Sequence, residues 1–276
     1  MVRTGWARCA RQLLLGLCAL PLLTSSPTAA RPADPLTEPV HDQANCARPA
    51  LWVVSDADTI IYLFGTIHTH DGVAHWFDHA VRRAFDSSST LVLETLIPTQ
   101  PVRVAAPAGS GLAVARATLQ SARTVGLSPQ FGADQVLARA AGAIGKPILG
   151  LESFDEQLRM YQSLPSPARP AAPAAAAAQA PSPDQNVAPY LRTMVDRWNQ
   201  GDSQPIEAVV GAVRAQSPEA YQRLFADRNA AWAKWIEARL KQPGTVFVAV
   251  GTGHLVGSDS VQANLAADGI RSARVN

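Results

Sequence analysis

The chain has 276 residues, of which 47% are hydrophobic and 17% are charged, and its formal net charge is +2. Residues 1–30 contain three arginines and no acidic residue, so the charge of the remainder is −1. Nothing in this balance indicates a phosphate-binding face, and we expect no nucleic-acid partner.

Residues 1–30 have the order of a secretory signal peptide. Three arginines precede an apolar run from Leu13 to Leu23, and small residues surround Ala30. We therefore expect cleavage after Ala30 and a periplasmic or secreted protein. The alternative, an uncleaved anchor, is disfavoured because the apolar run is too short to cross a bilayer. No later segment is long enough either, so we expect no stable membrane insertion.

The rest of the chain predicts one domain with two irregular segments. Residues 31–49 are rich in proline and polar residues and predict a disordered leader. A single domain over 50–276 follows, interrupted at 164–189 by an Ala/Pro-rich segment whose prolines forbid a continuous helix. We interpret that segment as a flexible surface insertion.

Strands and helices alternate along the domain. The predicted strands are 51–54 and 59–64, joined as a hairpin, and then 90–94, 148–152, 245–250 and 271–275. The predicted helices are 73–85, 132–146, 153–163, 189–200, 204–216, 218–241 and 258–268. This order predicts an α/β fold with a central mixed sheet flanked by helices, in which ligands bind beyond the carboxyl ends of the strands.

Two apolar strands end in the same four-residue motif, Gly-Thr-x-His. The first motif ends at His68 and the second at His254. Glycine allows a sharp turn, threonine can bond back to the turn, and histidine then lies over the end of the strand. The repetition favours one shared functional site over two unrelated structural histidines.

Two other strands end in a glutamate, Glu94 in TLVLE and Glu152 in ILGLE. A carboxylate at the end of an apolar strand is costly to bury unless a metal ion, an arginine or a catalytic proton compensates it. For Glu152 a helix N-terminal role is the main alternative, because Ser153 and Glu156 form a capping-box pattern.

Two further sets of polar residues lie on predicted helices. Arg228 belongs to the segment Asp227-Arg228-Asn229, for which a solvated helix face is the simpler interpretation. His75 and His79 stand four residues apart in the predicted helix 73–85, a spacing that can chelate zinc. No glutamate follows His75 to act as a general base, so an ordinary exposed face is favoured there.

At these residues the sequence resembles the TraB/GumN (TraB/PrgY/GumN) family. The resemblance covers ALWVVSDADTIIYLFGTIH, STLVLET, GADQVLARAAGAIGKPILGLESFDEQL and YQRLFADRNAAWAKWIEARLKQPGTVFVAVGTGHLVGSDSV. It implies kinship with the Tiki metalloproteases and an erythromycin-esterase-like or ChaN-like architecture in which the two turns meet at one site. It also implies that His68, His254 and Glu94 hold a metal ion. The segment PVRVAAPAGSG and the insertion depart from the family pattern, so substrate specificity is not carried over.

The resulting hypothesis is an exported, metal-dependent hydrolase, peptidase-like, acting on a peptide or small molecule of the bacterial envelope. Two imidazoles and a carboxylate suit Zn, Mn or Co better than Mg or Ca. Glu94 would be a ligand or general base, Glu152 a further acid or base, and Arg228 a stabiliser of the oxyanion. The alternatives are a non-catalytic metal- or haem-binding protein and an esterase-like hydrolase that needs no metal.

The signal-peptide interpretation predicts the N-terminus of the exported protein. We expect material recovered from the cell envelope to begin at Arg31, because cleavage follows the small residues that end at Ala30. Intact-mass spectrometry measures this directly. Exported protein that still begins at Met1 would contradict the interpretation.

Overall fold

The computed structural model describes residues 47–77, 79–96, 98, 104, 106, 110–164 and 187–275. The predicted signal peptide, residues 31–46 of the predicted leader and residues 165–186 of the predicted insertion lie outside these ranges. The described residues belong to one compact unit, Asp42–Asn276. None of the helices described in it is long and apolar enough to cross a membrane.

Six strands form one mixed sheet in the order β4-β3-β5-β2-β1-β6. The strands are β1 (Leu51–Ser55), β2 (Thr59–Thr66), β3 (Thr90–Thr95), β4 (Ile148–Glu152), β5 (Gly244–Gly251) and β6 (Ser272–Arg274). Strand β1 runs antiparallel to β2 and β6, whereas β2, β5, β3 and β4 are mutually parallel. The predicted hairpin and the mixed α/β class are therefore confirmed.

Helices flank the sheet. They are α1 (His79–Ser87), α2 (Gly111–Thr124), α3 (Ala133–Ala143), α4 (Phe154–Ser163), α5 (Ala188–Asn199), α6 (Gln204–Gln216), α7 (Pro218–Tyr221), α8 (Asp227–Leu240) and α9 (Val261–Ala267). One turn of π-helix, Gln222–Ala226, joins α7 to α8. The predicted helix over 218–241 is thus three helical segments rather than one regular helix.

Strand β5 lies inside the sheet, and its side chains face two separate cores. Phe247 and Ala249 contribute to one buried cluster, which also contains Trp198. Val246, Val248 and Val250 point to the other face, where Trp232 of α8 lies among the buried residues. Burial on both faces explains why this strand is continuously apolar instead of alternating.

The predicted helix over 73–85 is wrong in its first half, because α1 begins only at His79. His70 is fully buried, its Nδ1 accepts the Gly72 N–H at 2.9 Å, and it forms an isolated bridge with Ser128. These bonds hold the chain after β2 in a loop. His75 therefore precedes the helix, so His75 and His79 do not share a helix face, and the zinc-chelating alternative that the sequence already disfavoured loses its basis.

Helix α2 was not predicted, and it contacts Leu164, the first residue of the segment predicted as an insertion. Ser110 caps the helix by accepting the Ala113 N–H at 3.3 Å. The Gly111 N–H donates to the carbonyl of Leu164 at 3.1 Å, and Leu164 is buried. Because α5 begins at Ala188, both ends of the segment predicted as insertion belong to the folded unit.

The last residues of β2 are bonded to Trp198, whose indole Nε1 donates to the Gly65 carbonyl at 2.9 Å inside the protein. We expect Trp198→Phe to lower the free energy of unfolding by about 1–3 kcal/mol, because a buried carbonyl loses its partner while the ring remains apolar. Urea denaturation measures the change.

Trp235→Phe is the matched control, since Trp235 is a partly buried core residue of α8. Its loss should be smaller than that of Trp198→Phe. Equal losses in the two variants would mean that the bond to Gly65 contributes nothing.

Candidate functional site

The four parallel strands end at the same edge of the sheet. Thr66 at the end of β2 pairs with Gly251 at the end of β5, and Thr95 of β3 pairs with Glu152 of β4. This register brings both Gly-Thr-x-His motifs and both strand-end glutamates to one side of the molecule, the side at which α/β sheets bind ligands.

The two motifs contact each other through their threonines and glycines. The Thr252 hydroxyl donates to the carbonyl of Thr66 at 2.9 Å. A Cβ added to Gly65 would lie 2.8 Å from the Thr252 hydroxyl, too close for any other residue. A Cβ on Gly251 would lie 3.1 Å from Glu94 Oε1 and 3.6 Å from His68 Nε2. A side chain at Gly65 would therefore collide with Thr252, and one at Gly251 would fit only if the Glu94 carboxylate shifted by a few tenths of an ångström.

Arg228 is the buried centre of this edge, and its side chain is 9% exposed. Its guanidinium donates from Nε to Glu152 Oε1 at 2.6 Å and from Nη2 to Glu94 Oε2 at 2.8 Å. From Nη1 it donates to His254 Nε2 and to the Leu224 carbonyl, both at 3.0 Å. Burial works against the cation, but the two carboxylates outweigh it and raise the pKa of Arg228. The interpretation of this segment as a solvated helix face is therefore wrong.

His254 is neutral because of these partners. A guanidinium can only donate, so Nε2 accepts from Arg228, and Nδ1 carries the hydrogen that is donated to Asn229 Oδ1 at 2.6 Å. Burial, opposed by Glu94 and assisted by Arg228, lowers the pKa of His254 to about 3. Trp232 packs against the imidazole with a centroid distance of 4.5 Å.

Glu94 is an ionised, nearly buried carboxylate. Its Oε1 accepts the Gly251 N–H at 2.6 Å, while Oε2 accepts from Arg228 and from Gln157 Nε2 at 3.3 Å. Burial raises the pKa of Glu94, but His254, Arg228, His68 and the Gly251 N–H lower it, with a net value of about 2. Since His254 is neutral at pH 7, Arg228 and His68 are the cations that act on Glu94 there.

His68 has the opposite environment although its motif is the same. Its side chain is 62% exposed, and Nδ1 lies 3.2 Å from Oδ1 of Asp134, in the first turn of α3. The Asp134 carboxylate is the main cause that raises the pKa of His68 to about 9, and Glu94 adds to it. At neutral pH the imidazole is therefore a cation.

These side chains line a pocket of about 220 Å³. Four of the five residues predicted for the site contribute to its wall: His68, Glu94, Arg228 and His254. Glu152 is not part of the lining and instead binds Arg228 from behind. The capping box between Ser153 and Glu156 also forms. The helix N-terminal role that was the alternative for Glu152 is therefore filled by these neighbouring residues and not by Glu152 itself.

Three further polar residues of this edge were not predicted as site residues. Asp134 and Asn229 hold the two histidines, and Tyr161 of α4 lines the pocket. Burial and then the charge of Glu94 raise the pKa of Tyr161, which keeps its hydroxyl protonated. The only sequence signal was for Asn229, which directly follows Arg228 in the segment already noted.

The predicted metal ligands His68, His254 and Glu94 all line this pocket, but His254 has no free lone pair. A divalent ion needs a lone pair from His68, His254 and Glu94, but His254 gives its Nε2 lone pair to Arg228 and its Nδ1 hydrogen to Asn229. Two remaining ligands are fewer than the three that catalytic zinc sites use. Within the described ranges, no group of three or more His, Cys, Asp or Glu is placed to hold a metal ion. The side chains as they stand do not fit an ion, and the metal site stays a prediction.

Comparison with known proteins identifies the family. The model of the TraB/PrgY/gumN family matches residues 50–112 and 107–274, which is most of the chain, so the chain belongs to this family. Searches of curated proteins and of solved structures gave no significant match.

The buried ion cluster predicts a pH-dependent stability. We expect Arg228→Met to lower the free energy of unfolding by about 3–5 kcal/mol at pH 7, because two carboxylates lose their cation. Folding lowers the pKa of Glu94, so its stabilising contribution is present above the usual value of 4.5 and is lost as the pH falls towards 2. The deficit of the variant should therefore shrink below pH 4.5, as measured by urea denaturation at several pH values.

Arg82→Met is the control, because Arg82 forms an exposed pair with Asp86 on α1. Its cost should not exceed about 1 kcal/mol at any pH. A deficit of Arg228→Met that stays constant from pH 7 to pH 3 would contradict the ion-cluster interpretation.

Proposed function

We propose that this member of the TraB/PrgY/gumN family is a hydrolase that cleaves an ester or amide bond by general acid–base catalysis. The observation that supports the proposal is a cationic histidine and an ionised glutamate in one pocket, each held in its state by different neighbours. Pairs of titratable groups whose pKa values are pushed apart in this way are typical of acid–base sites.

Glu94 is the proposed general base. Arg228 and the Gly251 N–H fix both of its oxygens, and Oε1, on the side towards His68, still has a lone pair for a water molecule. Water attacks the carbonyl carbon and gives its proton to Glu94. A carboxylate of such low pKa is a weak base, so this proton transfer depends on position and on a simultaneous proton donor.

His68 is the proposed donor. Its Nε2–H gives a proton to the leaving oxygen or nitrogen as the bond to the carbonyl carbon breaks, while Asp134 orients the ring. One proton enters at Glu94 and one leaves from His68, so exchange with solvent restores the starting state.

The main role proposed for Arg228 and His254 is to hold Glu94 in position. Arg228 uses four of its five N–H groups on the described acceptors, which fixes Glu94 relative to His254. The fifth, on Nη2, is the proposed donor to the oxyanion. Glu152 then serves to hold Arg228 rather than to transfer a proton.

The metal-dependent version is the second candidate. A metal-bound imidazole usually donates its other ring N–H to a carboxylate, and Asp134 is placed to accept this bond from His68. A Zn, Mn or Co ion held by His68, His254 and Glu94 would require Arg228 to leave His254. Such an ion would supply Lewis-acid chemistry. The peptidase-like specificity and the Tiki kinship belong to this version.

Export and an envelope substrate are part of the proposal. They are supported by the signal-peptide pattern of residues 1–30, and the substrate is a peptide or small molecule of the periplasm or the exterior.

The test is turnover of 4-nitrophenyl esters and peptide 4-nitroanilides by the purified protein, with and without EDTA. We expect turnover to survive EDTA and to fall about 100-fold or more in Glu94→Gln and His68→Gln. Glu237→Gln and His75→Gln change an exposed glutamate and an exposed histidine outside the pocket, and they should keep wild-type activity.

Each other outcome selects a different function. Activity that EDTA abolishes and Zn, Mn or Co restores supports the metal-dependent candidate. A bound metal ion or haem without any turnover supports a non-catalytic binding protein. Turnover unchanged in Glu94→Gln and His68→Gln would refute both hydrolase versions.

A further inference from the structure

The side of the pocket opposite the charged groups is apolar. This apolar wall is formed by α5, α6 and the π-turn, and consists of Met194, Ile206, Val209, Val210, Leu224 and Phe225. We propose that it binds an uncharged aliphatic or aromatic group of the substrate directly beside the bond that is cleaved. This inference rests on the proposed hydrolase function and deepens it by naming the substrate class.

The apolar wall adjoins the polar groups without a gap. The ring of Phe225 lies 5.2 Å from the imidazole of His254, centroid to centroid. A Cβ on Gly253 would lie 3.0 Å from the Phe225 ring and 3.3 Å from Val210, so the second motif itself packs against the wall. A group bound there therefore lies within a few bond lengths of the carbonyl that His68 and Glu94 would act on.

Charge limits what this wall can hold. None of its described residues carries a charge, and the one N–H of Arg228 that is left over from Glu94, Glu152, His254 and Leu224 is assigned to the oxyanion rather than to a group on this wall. A carboxylate or ammonium group on the substrate would lose water there without gaining a partner, which is costly. The chemistry of the wall therefore selects a neutral, apolar substituent.

The volume of the pocket limits the size of the apolar group that it can bind. Pockets that bind drug-sized ligands measure roughly 300–1,000 Å³. This pocket of about 220 Å³ must also hold the bond beside His68 and Glu94, so the apolar group is small, about four to seven carbons. Each buried methylene should raise kcat/KM about threefold to fivefold until the pocket is full.

The first experiment measures binding without turnover. Saturation-transfer NMR with the exported protein compares heptanamide with 6-aminohexanamide and the monoamide of adipic acid. We expect heptanamide to bind at least about tenfold more tightly than either charged analogue. Val209→Phe, which fills the pocket, should weaken heptanamide binding about tenfold, whereas Val114→Phe on exposed α2 should not change it. Charged analogues that bind equally well would overturn the inference.

The second experiment measures chain-length preference with 4-nitrophenyl esters from acetate to octanoate. We expect kcat/KM to rise with acyl length and then level off, and Leu224→Ala to move the optimum to longer chains. Turnover that ignores chain length would refute the apolar subsite and leave the hydrolase proposal standing. Heptanamide binding that Val209→Phe weakens, without hydrolysis of any ester or anilide, would support the subsite and refute the hydrolase proposal.

Discussion

The site depends on one guanidinium group. Arg228 is bound to two glutamates and to His254, and each of these partners is positioned by the end of a different strand or turn. A buried carboxylate pair without this cation would repel and take up protons. With it, Glu94 stays ionised and His254 stays neutral, so the same side chain sets the charge and the geometry of the pocket.

The helical segment that carries Arg228 explains how one cation reaches so many partners. A π-turn over Gln222–Ala226 precedes α8 and shifts the helix by one residue at this point. Such turns are costly and occur often at functional sites. Phe225 and Leu224 thereby line the pocket together with Arg228, while Asn229 lies on the buried side against His254. The same helical segment therefore carries both the Arg228 cation and two of the apolar residues that line the pocket.

The sequence predicted the strands and the strand-end residues well because these depend on short local patterns. Four of the six strands are apolar runs that end at or beside a glycine or a glutamate, and the convergence of Glu94 and Glu152 on one edge follows from this pattern. It did not predict the burial of Arg228 or the pairing of His68 with Asp134, since both result from contacts between distant segments. The helix start at His79 was missed for a similar reason, because the bridge between His70 and Ser128 that holds the preceding loop is a tertiary contact.

Sequence identity of the two motifs does not make their histidines equivalent. His254 is enclosed by Arg228, Asn229 and Trp232, whereas His68 is exposed and faces Asp134. The first environment removes a proton from the imidazole and the second retains one. A metal ion bound symmetrically by both would need both rings neutral and both Nε2 lone pairs available. The bond from Arg228 to His254 Nε2 is the contact that such an ion would have to displace, and this is why the metal-independent mechanism is our first proposal for this pocket.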